Sequence, residues 1–262
     1  MLRKLIKYEV KATARWFIPL YTVLLVFALI NRLLFYANPS AIEETANVLQ
    51  VARTLSMLAY VFLFTGIMVV TLVVVVQRYY KGLLGDEGYL MFTLPVQTWK
   101  LIMSKLSVAM LWSFLSAIVG ICSIMLLIPS PDIRKIGMFF TMIHDFIGPI
   151  SYFSISLLGL SVLAFSVIEM YAAITLGHLF RKHKLLASFG MYIGLNTLSQ
   201  MVFILVMPFF LDTIISMRVH SVFPAPSRSN ALILVLGITF MLLTATFYAV
   251  TNILLKRKLN LE

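Results

Sequence analysis

The sequence predicts an all-α integral membrane protein with six transmembrane helices and both termini in the cytoplasm. Three observations lead to this fold class. The 262 residues are 61% hydrophobic and only 12% charged, the apolar residues fall in six long runs, and the basic residues are distributed unevenly among the loops. A water-soluble chain of this size carries far more polar surface. We therefore expect a single transmembrane domain that occupies residues 1–262.

Each apolar run is long enough to cross the hydrocarbon core of a bilayer, which takes about 20 helical residues. The third and fourth runs exceed this length, so those helices would tilt or extend past the lipid. The runs predict spans at about 17–36, 56–77, 103–128, 152–177, 186–211 and 231–254. The outer loops between them would be short, at about 37–55, 129–151 and 212–230.

The basic residues set the orientation, because cytoplasmic loops carry an excess of lysine and arginine. Of the 21 lysines and arginines, 15 fall on the side that holds both termini and 6 on the other side. We therefore expect a multi-pass protein of the cell membrane with both termini inside. The net charge of +11 is then a topology signal and an attraction for anionic membrane lipids, and it does not indicate a nucleic-acid partner.

The N-terminal stretch MLRKLIKYEVKATAR, residues 1–15, has the pattern of an amphipathic helix. Leu2, Leu5 and Ile6 gather on one side of such a helix. The opposite face carries a basic stripe at helical spacing: Lys4, Lys7, Lys11 and Arg15. This pattern predicts a helix that lies in the cytoplasmic interface of the membrane. The alternative is a plain basic flank that only orients the first span.

Motifs for catalysis or metal binding are absent from the sequence. None of the 12 glycines is followed by lysine, so the chain has no phosphate-binding P-loop, and it has neither HExxH nor GxSxG. Cys122 is the single cysteine, and the four histidines show no metal-ligand spacing. We expect no catalytic residue, no metal site and no cofactor in this chain.

Glu169 is the one acidic residue deep within a predicted span. Counting helical rise from about residue 177 places it about 12 Å inside the cytoplasmic boundary. Asn196 and Gln200, one turn apart in the fifth span, would face it as hydrogen-bond partners. Such a carboxylate either contributes to a translocation pathway or fixes the packing of two helices. In the same span, Gly190 and Gly194 permit close helix approach, more often within a subunit than at a dimer seam.

The segment 78–100, RYYKGLLGDEGYLMFTLPVQTWK, is the least regular part of the chain. Gly82, Gly85 and Gly88 allow sharp turns, and Pro95 suits the first turn of a helix. Exposed aromatic residues in a cytoplasmic loop are costly unless a membrane surface or a protein partner covers them. The adjacent acids Asp86 and Glu87 argue against the anionic inner leaflet as that cover. We expect a protein partner, and the alternative is a reentrant or self-packed loop.

The stretch YYKGLLGDEGYLMFTLPVQTWKLIMSKL resembles the loop between spans two and three in ABC type-2 permease subunits of the Firmicutes type. The six spans, the cytoplasmic termini and the basic N-terminal segment resemble the same family. The resemblance implies a transmembrane subunit that works with a separate ATP-binding subunit, and the partner binds the ATP and magnesium. It also implies a second permease subunit, as a homodimer or with a sister chain.

In this family the loop forms a coupling helix that docks on the ATPase. By position, the resemblance implies a contact surface of eight residues: Asp86, Glu87, Gly88, Tyr89, Leu90, Phe92, Leu94 and Pro95. Arg181 and Lys182, in the short basic loop between spans four and five, would make a smaller second contact. The N-terminal helix would lie beside the ATPase, of which two copies are implied.

Three functions remain open at this level. The first is an ABC exporter of a drug, a peptide or a lipid, since the Glu-Ala-Ala start of the importer loop is missing. The second is a membrane sensor or immunity subunit that does not transport. The third is an intramembrane enzyme centred on Glu169. Co-purification of an ATP-binding protein would separate the first from the third.

Overall fold

A computed structural model of the chain describes residues 2–36, 43–85, 97–127, 137–138, 141, 151–180, 182–210 and 226–257. Nearly all of these residues are helical. Six long α-helices carry the fold, and we number them in chain order: α1 Leu2–Tyr36, α2 Glu43–Tyr79, α3 Thr98–Leu127, α4 Ser151–Gly177, α5 Lys184–Val206 and α6 Pro226–Arg257. A π-helical turn, Tyr80–Leu84, follows α2, and a 3₁₀ turn, Met207–Phe210, follows α5.

All six helices are long and apolar enough to cross a membrane. This confirms the predicted all-α, multi-pass class. Four helices begin well before their predicted spans, at Leu2, Glu43, Thr98 and Pro226, and α2 and α6 begin inside the predicted loops 37–55 and 212–230. Hydropathy marks where a helix is apolar, and a helix can continue past that point with polar residues.

The N-terminal segment is part of the first long helix. The sequence predicts a separate interfacial helix over residues 1–15, but α1 runs without interruption for 35 residues, about 52 Å. Ile6, Val10 and Ala14 pack against the buried cluster that includes Phe17 and Trp112. This packing holds the segment in line with the rest of α1. The predicted amphipathic character is present, because the basic stripe lies on the exposed face.

The described helices form two compact units. The first comprises Met1–Val75 and Ser107–Ile136, which brings together α1, most of α2 and most of α3. Phe17 and Trp112 stack at 4.5 Å in its interior. Trp112 Nε1 donates a 2.6 Å hydrogen bond to Thr13 Oγ1, and the Tyr21 hydroxyl lies 2.7 Å from that of Ser116. Hydroxyl pairs between helices therefore accompany the apolar packing, as is common where helices associate in lipid.

The second unit comprises Val76–Leu106 and Gly137–Glu262, and α4 lies at its centre. Half of the apolar window of α4 is buried, against 6% for α5 and for α6. α4 packs against both of these helices. This unit contains the residues on both sides of 86–96, and it also contains Glu169, Asn196 and Gln200.

The connection between α4 and α5 is short and tight. His183 has the left-handed conformation, with φ of 55°, and the next residue begins α5. A Cβ atom at Gly177 would meet the backbone and the side chain of Ser188. The last turn of α4 and the first turns of α5 therefore approach at backbone distance, which requires glycine at this position.

Gly177→Ala should destabilise the protein by about 1–3 kcal/mol, because the new methyl group has to displace backbone of α5. A reversible unfolding titration in detergent micelles would measure the loss. Gly159→Ala is a matched control on the same helix, since a Cβ atom there meets nothing within 4 Å. Equal stability of the two variants would contradict the close approach.

Candidate functional site

Most of the segment predicted to contact a partner lies outside the described residues. This applies to Asp86, Glu87, Gly88, Tyr89, Leu90, Phe92, Leu94, Pro95 and Arg181, so their contact role stays a prediction. Lys182 is described, and its side chain is exposed in the turn between α4 and α5. The structure does describe both ends of the 86–96 segment and the helices to which they attach.

The end that precedes the segment is a π-helical turn. The Gly85 N–H donates to the Tyr80 carbonyl at 2.8 Å, which closes a wider ring than an α-helical bond does. Such turns occur often at functional positions. Within it, Gly82 is buried against the Lys105 side chain of α3. The prediction that Gly82 serves a sharp turn is therefore wrong, because its missing side chain makes room for this contact.

A stacked pair of tyrosines fixes this end to α4. The rings of Tyr79 and Tyr171 lie 3.9 Å apart with an interplanar angle of 10°, and both side chains are fully buried. The Tyr79 hydroxyl and the Thr175 Oγ1 are 2.6 Å apart. We call Tyr79, Tyr171 and Thr175 the tyrosine junction. Its hydroxyl contact matters because a buried polar group without a partner is costly.

The end that follows the segment is attached in the same unit. The Tyr248 hydroxyl of α6 donates a 2.8 Å hydrogen bond to the Trp99 carbonyl, in the first turn of α3. Tyr171 donates a longer bond, 3.4 Å, to the Lys105 carbonyl. Tyr171 thus contacts the chain on both sides of 86–96. The two ends of this segment are held by α4 and α6 and cannot shift without disturbing buried contacts.

His178 lies just beyond the last turn of α4, beside this junction. Its ring is 5.1 Å from that of Tyr80, and its Nε2 is buried without a hydrogen-bond partner among the described residues. Burial lowers the pKa of His178, and the nearby Lys184 ammonium lowers it further. Both effects favour the neutral imidazole, which suits packing against an aromatic ring.

Glu169 lies on α4, at an inward-facing position before the tyrosine junction. Its side chain is 3% exposed. The Asn196 side chain lies within hydrogen-bonding reach of the carboxyl group, as the sequence predicts. The other carboxyl oxygen, Oε1, is buried with no partner among the described residues.

Gln200 extends this contact toward the exposed face of α5. Its Nε2 donates a 2.7 Å hydrogen bond to the Asn196 Oδ1, so the Asn196 amide nitrogen remains to donate to Glu169. Gln200 therefore contacts Asn196 and positions its amide, whereas the sequence predicts that both residues face the carboxylate. The three side chains form one chain from exposed Gln200 to buried Glu169.

Gly190 and Gly194 of α5 do not contact another helix among the described residues, although the sequence favours such a contact. A Cβ atom at Gly190 or at Gly194 would meet nothing within 4 Å. Packing among the described residues therefore does not use either glycine, and the use within a subunit that the sequence favours stays a prediction. The two glycines lie on the exposed side of α5.

Sequence reasoning missed the tyrosine junction. Tyr79 and Tyr171 are far apart along the chain, and each falls within or beside an apolar run where aromatic residues are common. The sequence contains one signal of this contact: Tyr171 and Thr175 lie four residues apart, which is one turn of α4. Polar groups at this spacing within a span indicate an interhelical contact.

Tyr171→Leu should destabilise the second unit by about 2–4 kcal/mol, since it removes a buried ring and its stacking. Tyr79→Phe should cost about 1 kcal/mol, because it removes only the hydroxyl contact. Hydrogen exchange measured by mass spectrometry should rise at residues 80–85 and 97–106 in Tyr171→Leu.

The control is Tyr152→Leu, an exposed tyrosine on the same helix, which should leave this exchange unchanged. If exchange at 80–85 stayed at the wild-type rate in Tyr171→Leu, the junction would not be what holds the segment ends.

Comparison of the chain with protein-family models, with curated proteins and with solved structures found no match. The function is therefore argued from two features of the second unit: the attached ends of the 86–96 segment, and the buried Glu169 with its amide chain.

Proposed function

We propose that this protein is the transmembrane subunit of an ATP-driven ABC transporter that exports a drug, a peptide or a lipid. A separate ATP-binding subunit would bind and hydrolyse ATP with magnesium and dock on the 86–96 segment. The observation that carries the proposal is the attachment of both ends of this segment within one unit: the buried Tyr79–Tyr171 stack holds the first end to α4, and the Tyr248 hydrogen bond joins the second end to α6. A free surface loop does not need such contacts.

The same contacts would transmit movement of the docked segment to the transmembrane helices. When two ATP-binding subunits close on ATP, they move the segments docked on them. The tyrosine junction passes this movement to α4, because the Tyr79 and Tyr171 rings are stacked in full burial and separate only at a large cost. Movement of α4 against α5 changes the surroundings of Glu169. Access to the pathway would then alternate between the two sides of the membrane.

The proposed orientation places both termini and the 86–96 segment in the cytoplasm. It is supported by the distribution of lysine and arginine. The exposed basic stripe of α1, with Lys4, Lys7, Lys11 and Arg15, would lie at the anionic inner leaflet of the cell membrane, beside the ATPase.

A second permease subunit would complete the pathway. The exposed face of α5 supports a seam between two copies, because Gly190 and Gly194 leave open space on it and Gln200 is exposed nearby. Glycines four residues apart allow two helix backbones to approach closely.

The first test changes the proposed docking segment. The full chain, purified from its native membranes, should retain an ATP-binding protein. Glu87→Ala combined with Tyr89→Ala should leave the ATPase bound but lower transport at least about tenfold, which corresponds to about 1.4 kcal/mol. Transport and ATP hydrolysis would be measured together in liposomes.

The matched control is Glu43→Ala combined with Glu44→Ala, which removes two adjacent acids at the start of α2 and should leave transport unchanged. Full transport by the Glu87 and Tyr89 double variant, with the ATPase still bound, would refute the assignment of the segment. Absence of any bound ATPase would refute the proposed transporter.

The second test addresses the seam between copies. Gly194→Leu should weaken self-association on the order of tenfold, because the leucine blocks close approach of a partner helix. It should fold normally, since the position is open within the subunit. Single-molecule photobleaching in liposomes would count the copies. Gly159→Leu, also at an open position, is the control, and equal dimer fractions in the two variants would place the seam elsewhere.

A further inference from the structure

No basic side chain pairs with Glu169 among the residues that the structure describes. The carboxyl group is buried, and one oxygen receives the Asn196 amide. Its Oε1 lacks a hydrogen-bond partner in the part of the chain that the structure describes. A carboxylate held at membrane depth is costly without a positive partner. At the unpartnered Oε1, a cationic ligand would gain a partner of opposite charge.

A metal ion fits this place poorly. Hard cations such as calcium take six or more oxygen ligands. The nearest amide oxygen, Asn196 Oδ1, already accepts from Gln200 at 2.7 Å. One carboxylate therefore remains as ligand, and no group of three or more candidate metal ligands occurs among the described residues. The charge of a single carboxylate matches a monovalent cation.

Aromatic side chains pack against α4 one turn before Glu169. Phe165 lies one turn earlier on α4, with its ring 5.3 Å from Phe240 and 5.9 Å from Phe247 of α6. Phe203 of α5 lies 4.5 Å from Phe240. Four phenylalanines from three helices thus form one cluster, which we call the phenylalanine cluster: Phe165, Phe203, Phe240 and Phe247.

The side of Glu169 toward the tyrosine junction is lined by small and aromatic residues. Ala172 and Ala173 of α4 are buried, and Tyr192 of α5 and Phe247 of α6 pack against them. Phe247 therefore contacts both this group and the phenylalanine cluster, so aromatic side chains pack on α4 at the turn before Glu169 and at the turn after it. Aromatic faces attract organic cations, and most strongly where water is excluded.

We propose that Glu169 and the phenylalanine cluster bind a hydrophobic monovalent organic cation, such as a quaternary ammonium or a phosphonium carried on apolar groups. The carboxylate neutralises the charge, and the rings contact the apolar groups. This inference names the substrate class of the proposed transporter and rests on that function for its role, although the binding itself does not need the ATPase. In the described state Oε1 is closed to solvent, so the ligand enters when α4 and α5 separate.

The test measures binding to the purified full chain in detergent, with no ATPase present. The probe is radiolabelled tetraphenylphosphonium, and equilibrium dialysis gives its affinity. Wild-type protein should bind it saturably. Glu169→Gln should bind it at least about tenfold more weakly, or by about 1.4 kcal/mol. The glutamine is isosteric and can accept from Asn196, so thermal unfolding should show an intact fold.

Two comparisons sharpen the result. Tetraphenylborate has the same shape with a negative charge and should not bind saturably to the wild-type protein. Phe165→Leu should weaken phosphonium binding severalfold while it leaves the carboxylate in place. Leu160→Ala, at an exposed position of α4, serves as a control that should bind the probe within twofold of wild type, on the order of 0.4 kcal/mol.

Equal phosphonium binding by the wild type and by Glu169→Gln would overturn the inference, and so would no binding by the wild type. Saturable binding of both probes would show an apolar site without charge recognition, which also overturns it. The outcome is separate from that of the transporter proposal. Loss of ATPase association would refute the latter and leave the binding result standing.

Discussion

The stacked pair of Tyr79 and Tyr171 is the constraint on which the second unit depends. The rings are fully buried, and the hydroxyl of Tyr79 is paired with Thr175, so this contact has no unsatisfied polar group that would favour opening it. It is also placed where the chain leaves α2 and where α3 begins. Because Tyr171 reaches the Lys105 carbonyl as well, one side chain of α4 sets the spacing of the two ends of the 86–96 segment.

The spans could be predicted because lipid leaves a helix few alternatives. A backbone in hydrocarbon has to satisfy its own hydrogen bonds, so an apolar run long enough to cross becomes a helix. Helix ends are a different matter, since they depend on capping and tertiary packing. The segment before Phe17 was expected to be a separate interfacial helix, yet Ile6 and Val10 pack on the Phe17 and Trp112 cluster and continue α1. A hydropathy profile gives no information about packing between distant residues, so it could not predict this contact.

The candidate site was predictable where it is local in sequence and unpredictable where it is not. Asn196 and Gln200 are one turn apart, so helical spacing was enough to place them together. Which of them reaches Glu169 depends on the register of α5 against α4. The spacing of residues within α5 does not determine this register. Gly82 and Gly190 show the same limit. Their sequence context suggested a turn and an internal contact, whereas the structure has a buried approach to Lys105 and an open face.

The tight connection of α4 and α5 has a consequence for how the protein assembles. The two helices are joined by a few residues and meet at Gly177 and Ser188, and closing so short a loop costs little entropy. They can pair as soon as both have left the ribosome, before α6 has emerged from it. Until α6 arrives, the face of α4 against which it packs stays exposed to lipid. The helices of this unit would therefore assemble in the order in which they are synthesised.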